Sequence, residues 1–205
     1  MIEVNSSIVR TKRCAKAFQQ MFWAFIFFID FRLGFGNIHM DILPDFIGWI
    51  VMASALTTIR DLSSTVSALR QFAYLLIVIS LFDIVEFRIP IMQSANFTAS
   101  ISPIFFISII LAILEIVFIW KLCGLIMAMA NAVGSRTIWR QANFRRKLYI
   151  AFYLSAFIVV LMLFAFPAFI LPVIMVGLPL AVVVFALMMV LMRSTANMCR
   201  AAAEY

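Results

Sequence analysis

Only 9 of the 205 residues are acidic, and several fall inside or at the ends of long apolar runs, where a charge is expensive and usually has a reason. Glu115 is the deepest. It lies 12 residues beyond Pro103, about 18 Å along a helix rising ~1.5 Å per residue, near the middle of a bilayer. Lys121 is six positions further on and on a different helical face. Glu115 therefore needs another helix, water or a proton to be tolerated. It reads either as a proton- or cation-binding carboxylate or as a hydrogen-bonded group joining helices. Asp83 and Glu86, three apart, share a face near the outer end of another apolar run, and Asp30 lies at comparable depth in a third. Arg32 and Arg88 sit at that same boundary, so these acids either pair with the arginines or form an acidic mouth that attracts cations.

His39, Asp41 and Asp45 make a second polar cluster. Histidine and carboxylates can ligate a divalent metal, but three such residues in a turn do not specify one, and no metal is expected. Cys14, Cys123 and Cys199 lie far apart in sequence with no CxxC pair, on or near the side read below as reducing. Neither a structural disulfide nor a zinc site is expected. The chain has no G-x-S-x-G, H-E-x-x-H, P-loop or helix-opening G-x-G-x-x-G, and a single histidine. Neither a cofactor nor an enzymatic activity is expected. Asn96-Phe97-Thr98 matches a glycosylation acceptor, a short match close to apolar segments.

The elements that must position these groups are apolar throughout. Hydrophobic residues make up 66% of the chain and mean hydropathy is +1.12. A crossing helix needs about 20 mostly apolar residues, and six runs approach that length: 17–33, 43–59, 70–87, 103–123, 148–166 and 173–192. The fold class read from them is all-α, a polytopic bundle of six transmembrane helices forming one integral membrane domain over 1–205. The first run is short before its charges begin, and a helix lying in the interface is the alternative there. A glycine-punctuated turn, Gly34-Phe35-Gly36-Asn37, follows it. Pro44 suits a first helical turn, Asp45 faces the positive end of a helix dipole, and Gly48 and Ala53 permit close helix approach. Residues 60–69 read as a polar link and 88–102 as the longest outer loop. The fourth helix continues past 123 through 133. Residues 135–147 read as a basic connector, 167–172 as a tight turn, and Pro179 as a kink.

Charge orients the series. Arg10, Lys12, Arg13, Lys16, Arg60, Arg70, Lys121, Arg136, Arg140, Arg145, Arg146, Lys147, Arg193 and Arg200 fall on one side, and only Arg32 and Arg88 on the other. The positive-inside rule then places both termini in the cytoplasm. The basic start leads into further spans with no small-residue cleavage site, unlike a signal peptide. Arg136, Arg140, Arg145, Arg146 and Lys147, interleaved with Trp139 and Phe144, suit anionic lipid headgroups. The net charge of +7 is spread over segment ends rather than one folded basic face, so nucleic acid is not an expected partner. The expected partners are the bilayer and a second copy of the chain or another membrane protein.

The stretch Asp41-Ile42-Leu43-Pro44-Asp45-Phe46-Ile47-Gly48-Trp49-Ile50 resembles a pattern in small uncharacterised multi-pass bacterial membrane proteins. In those, an aromatic first helix and a polar turn precede an LPDxxG second span. The resemblance covers 23–56 and implies a bacterial inner-membrane protein, with Pro44, Asp45 and Gly48 as motif positions and no activity attached. No second LPD motif signals an inverted repeat. Two functions stay open: a non-catalytic accessory or assembly factor working through helix and lipid contacts, and a small proton- or cation-linked transporter or channel using Glu115 with Asp83, Glu86 and Asp30.

Overall fold

The computed structural model describes residues 6–9, 11–28, 32–35, 38–41, 45–81, 103–165 and 170–204. Apart from one hairpin, these residues are helical. A single turn, α1 (Ser6–Val9), precedes α2 (Lys12–Phe27). Thr11 caps α2: its backbone is extended and its hydroxyl accepts from the Cys14 N–H at 3.3 Å. Thr11→Ala should cost about 1 kcal/mol of stability, read as a lower unfolding midpoint that Thr11→Ser restores. Cys14, Ala17, Phe18, Met21, Ala24 and Phe25 are buried, an apolar stripe at helical spacing.

This helix starts and stops earlier than the expected 17–33. The cap at Thr11 draws in a basic turn whose lysines lie on its open face. After it the chain turns to β-structure. β1 (Arg32–Phe35) pairs antiparallel with β2 (Ile38–Asp41), Arg32 opposite Asp41 and Phe35 opposite Ile38. Arg32 and Leu33 thus belong to a strand, and so do Gly34 and Phe35 of the glycine-punctuated stretch expected to turn; Gly36 and Asn37 lie outside the described residues.

Helix α3 (Asp45–Thr58) buries Gly48, Trp49, Met52, Ala53, Ala55 and Leu56. A 3-10 turn (Arg60–Leu62) leads to α4 (Ser64–Ser80), whose cap is Ser63, its hydroxyl accepting from the Thr65 N–H. The expected link over 60–69 is therefore mostly helix, because Val66 and Leu69 begin the buried stripe that Ala73 and Leu76 continue.

Helix α5 (Pro103–Val133) extends beyond 123 as its pattern suggested. It ends in a Schellman turn: Gly134 adopts φ 78, its N–H reaches Asn131 O, and the Ser135 N–H reaches Ala130 O. One residue later α6 (Arg136–Ala165) begins, so the basic connector is the first three turns of a helix, not a loop. Helix α7 (Ile170–Ala203) runs helical through Pro179. Leu171 and Pro172, expected in a turn, form its first turn, where proline loses no hydrogen bond.

The six long helices form a ring in chain order. Each packs on the next from α2 to α7, and α7 closes on α2. Cys14 near the start of α2 lies against Cys199 near the end of α7, and Trp120 of α5 lies against Arg146 of α6. The interior holds Phe18, Phe25, Phe118, Met52, Leu56 and Leu122. Large apolar side chains also point outward: Leu75 and Val78 on α4, Ile110 and Ile113 on α5, Leu154, Ile158 and Met162 on α6, and Met175, Val176 and Leu178 on α7. Among the described residues, two stretches are long and apolar enough to cross a bilayer, Ile109–Val133 with mean hydropathy 2.5 and Met175–Ala203 with 2.7. The helices Asp45–Thr58 and Ser64–Ser80 are apolar but shorter.

Candidate functional site

Glu115 occupies the most apolar helix, and its Oε2 accepts a hydrogen bond from the Tyr153 hydroxyl of α6 at 2.9 Å. One turn earlier Tyr149 stacks on Tyr153, ring centroids 4.8 Å apart. Phe185 of α7 meets Tyr149 edge-on at 6.4 Å. From the opposite side come the end of α2 and the start of α3. Phe28 lies 4.5 Å from Trp49, and Trp49 stands edge-on to Phe118 at 5.0 Å.

These groups surround a cavity of about 70 Å³, room for about two waters at ~30 Å³ each. Two carboxylates, Glu115 and Asp45, line it with Tyr149, Tyr153, Trp49 and Phe185. Trp49 is 2% exposed, and its indole N–H has no hydrogen-bond partner among the described residues. Buried donors are nearly always satisfied, so an orphan on a residue that lines a cavity calls for an oxygen acceptor. The site thus draws on five helices, with the two acids on different elements.

Close approach of α2 and α3 brings Asp45 and Trp49 to this cavity. A Cβ on Gly48 would lie 2.6 Å from Phe28 Cε1 and 3.0 Å from the Ala24 carbonyl oxygen. That gives Gly48 of the LPDxxG stretch a packing role. Lys121 and Lys147 each lie six residues from Glu115 and Tyr153 respectively, about 9 Å of helix. There Lys121 Nζ stands 5.7 Å from the Phe72 ring centroid. The Arg146 guanidinium lies 4.2 Å from that of Trp120.

Of the residues expected at headgroups, Arg136, Arg140 and Lys147 are exposed and Arg146 is half-buried. Arg145 is buried, and burial holds its guanidinium below the usual value. Helical phase turns it away from open surface, unlike Arg136, Arg140 and Lys147.

The three cysteines are free thiols, and two of them meet. Cys14 and Cys199, 185 residues apart, are buried with their Sγ atoms 3.0 Å apart. The hydrogen bond with Cys199, burial and repulsion from the second sulfur raise the Cys14 thiol far above its ordinary value. Beside them, a groove of about 320 Å³ between α2 and α7 holds Gln19, Trp23, Arg193, Asn197 and Arg200. Arg200 donates to Gln19 Oε1 at 2.6 Å.

Asp30, Asp83, Glu86, Arg88 and Pro44 lie outside the described residues, as does the Asn96 tripeptide. His39 and Asp41 are placed by backbone alone, in β2. Among the described residues, no group of three or more His, Cys, Asp or Glu is arranged to hold a metal. Sequence reasoning missed Tyr149, Tyr153, Trp49 and Phe185. The one available signal was a pair of tyrosines four apart in an apolar run, hence on one helical face.

No family model matches the chain, and neither a curated protein nor a solved structure does. The functional reading rests on the geometry alone.

Proposed function

We propose that the protein is a polytopic membrane protein, six-helical with its basic end in the cytoplasm, that binds and passes protons or small cations through the Glu115 cavity. The observation that carries this is the convergence on one cavity within an apolar bundle of Glu115, Asp45, Tyr153 and Trp49, whose N–H has no partner among the described residues. Membrane insertion is supported by the outward-facing apolar side chains, since soluble monomers rarely expose apolar patches beyond a few hundred Å². Lys121, Arg146 and Lys147 then mark the cytoplasmic interface, and Glu115 sits about 9 Å inside it. Intramembrane acids at polar cavities mark ion and substrate pathways, and the tyrosine hydroxyl holds Glu115 in one orientation. Lipid headgroups on the cytoplasmic side would meet Arg136, Arg140 and Lys147.

The test is thiol accessibility. With Cys14, Cys123 and Cys199 replaced by serine or alanine, Glu115→Cys is treated with small charged thiol reagents from each side of the membrane. Labelling from at least one side is expected, because water reaches the cavity. Protection from both sides in a folded, inserted protein would overturn the reading. It would leave Glu115 as a helix-joining group, in favour of an accessory or assembly factor.

A further inference from the structure

We infer that the Glu115 cavity selects a small alkylammonium ion, of the size and chemistry of methylammonium, over a bare metal cation. This deepens the proposed function and rests on it for the site being reachable from water.

Three features choose the ligand class. The first is charge: two carboxylates, Asp45 of α3 and Glu115 of α5, line one small space. An ammonium head with three donors can reach both and a tyrosine oxygen. The second is the wall. Phe25, Phe28, Trp49, Tyr149, Tyr153 and Phe185 contribute rings from four helices. Aromatic faces attract organic cations, by about 2 kcal/mol or more when desolvated. Hard metal ions instead require six or more oxygen ligands. Among the described lining residues, side-chain oxygens come from Asp45, Glu115, Tyr149 and Tyr153, and the rest of the lining is aromatic or aliphatic, a wall that favours an organic cation over a bare one. The third is size: about 70 Å³ suits two heavy atoms, each about the volume of a water molecule.

The buried Trp49 N–H is an independent sign that the space serves a polar occupant. Dry helix packing would leave it unpaired.

The protein in lipid nanodiscs is titrated with methylammonium chloride and, separately, with sodium chloride at matched ionic strength. Binding is read by calorimetry and by Trp49 fluorescence, with Trp49→Phe as the spectroscopic control. Saturable methylammonium binding at least tenfold tighter than sodium is expected. Glu115→Gln and Asp45→Asn should each weaken it at least tenfold. Phe185→Leu, which keeps both acids and an apolar side chain, should weaken methylammonium binding and leave sodium unchanged. Equal affinity for the two cations, or indifference to Phe185→Leu, overturns the inference. Thiol accessibility separates the two readings. Labelling at position 115 without methylammonium binding sinks this inference and leaves the proposed function standing. Binding with position 115 protected from both sides places the ligand away from this cavity and overturns both readings. Neither labelling nor binding removes both.

Discussion

Gly48→Leu is expected to destabilise the protein by about 1–3 kcal/mol, the usual cost of forcing extra methylenes into a packed interface. Even the first added carbon would stand 2.6 Å from Phe28 Cε1 and 3.0 Å from the Ala24 carbonyl oxygen. The Phe28 ring has little room to swing, since Trp49 lies 4.5 Å away and Phe25 5.6 Å away, centroid to centroid. The carbonyl belongs to the α2 backbone and yields only if the helix moves. Gly48→Ala should show a smaller loss, because alanine gains up to about 1 kcal/mol of helix propensity over glycine. Unfolding midpoints of the two variants, with Phe28→Ala as second mutation, measure the coupling. Trimming the ring should recover part of the loss. A Gly48→Leu protein with an unchanged midpoint would mean that α2 and α3 do not approach closely at this residue.

Cys14 and Cys199 are expected to form an intramolecular disulfide under an added oxidant. With diamide, the two thiols give up two electrons and two protons, the diazene is reduced to its hydrazine, and one S–S bond forms. The sulfurs, 3.0 Å apart, close by about 1 Å to reach the bond length of ~2.05 Å. The raised Cys14 thiol leaves little thiolate at neutral pH, and thiolate is the reacting form. The rate should therefore rise with pH across the alkaline range. Once formed, the link joins the two ends of the ring and should add about 2–4 kcal/mol of stability. Non-reducing gels of protein cut between the two cysteines would show the fragments held together, and Cys14→Ser or Cys199→Ser would release them. Fragments that separate after full oxidation of the wild type would mean the α2 and α7 ends do not meet.

The helices α5, α6 and α7 were legible because unbroken apolar runs leave no alternative to a helix. The errors fell where local chemistry competes with hydropathy. Thr11 and Ser63 start helices in polar sequence by capping them, and the hydropathy pattern does not register a cap. Arg136 to Lys147 looked like a connector because its charges hide a helical phase that buries Ala142, Arg145 and Tyr149. At the site, Glu115 stood out alone by the cost of its charge. Its partners could not be found the same way, since a tyrosine or tryptophan in an apolar run costs little until its neighbours are known. Asp45 read as a helix-dipole residue, and only the approach at Gly48 brings it to the cavity. Cys14 and Cys199 met through ring closure, a contact between distant parts of the chain that no short-range pattern encodes.

Closure of α7 on α2 also dictates an order of events during synthesis. Ribosomes add roughly 5–20 residues per second, so Cys199 follows Cys14 by roughly 10–40 s. Through that interval α2 has α3 beside it but lacks its final neighbour, with Cys14, Phe18 and Met21 still seeking cover. Until the last helix arrives, α2 keeps that face uncovered. Losing the final turns of α7 would consequently injure the first helix, and a stop codon late in the message would act like a lesion near its start.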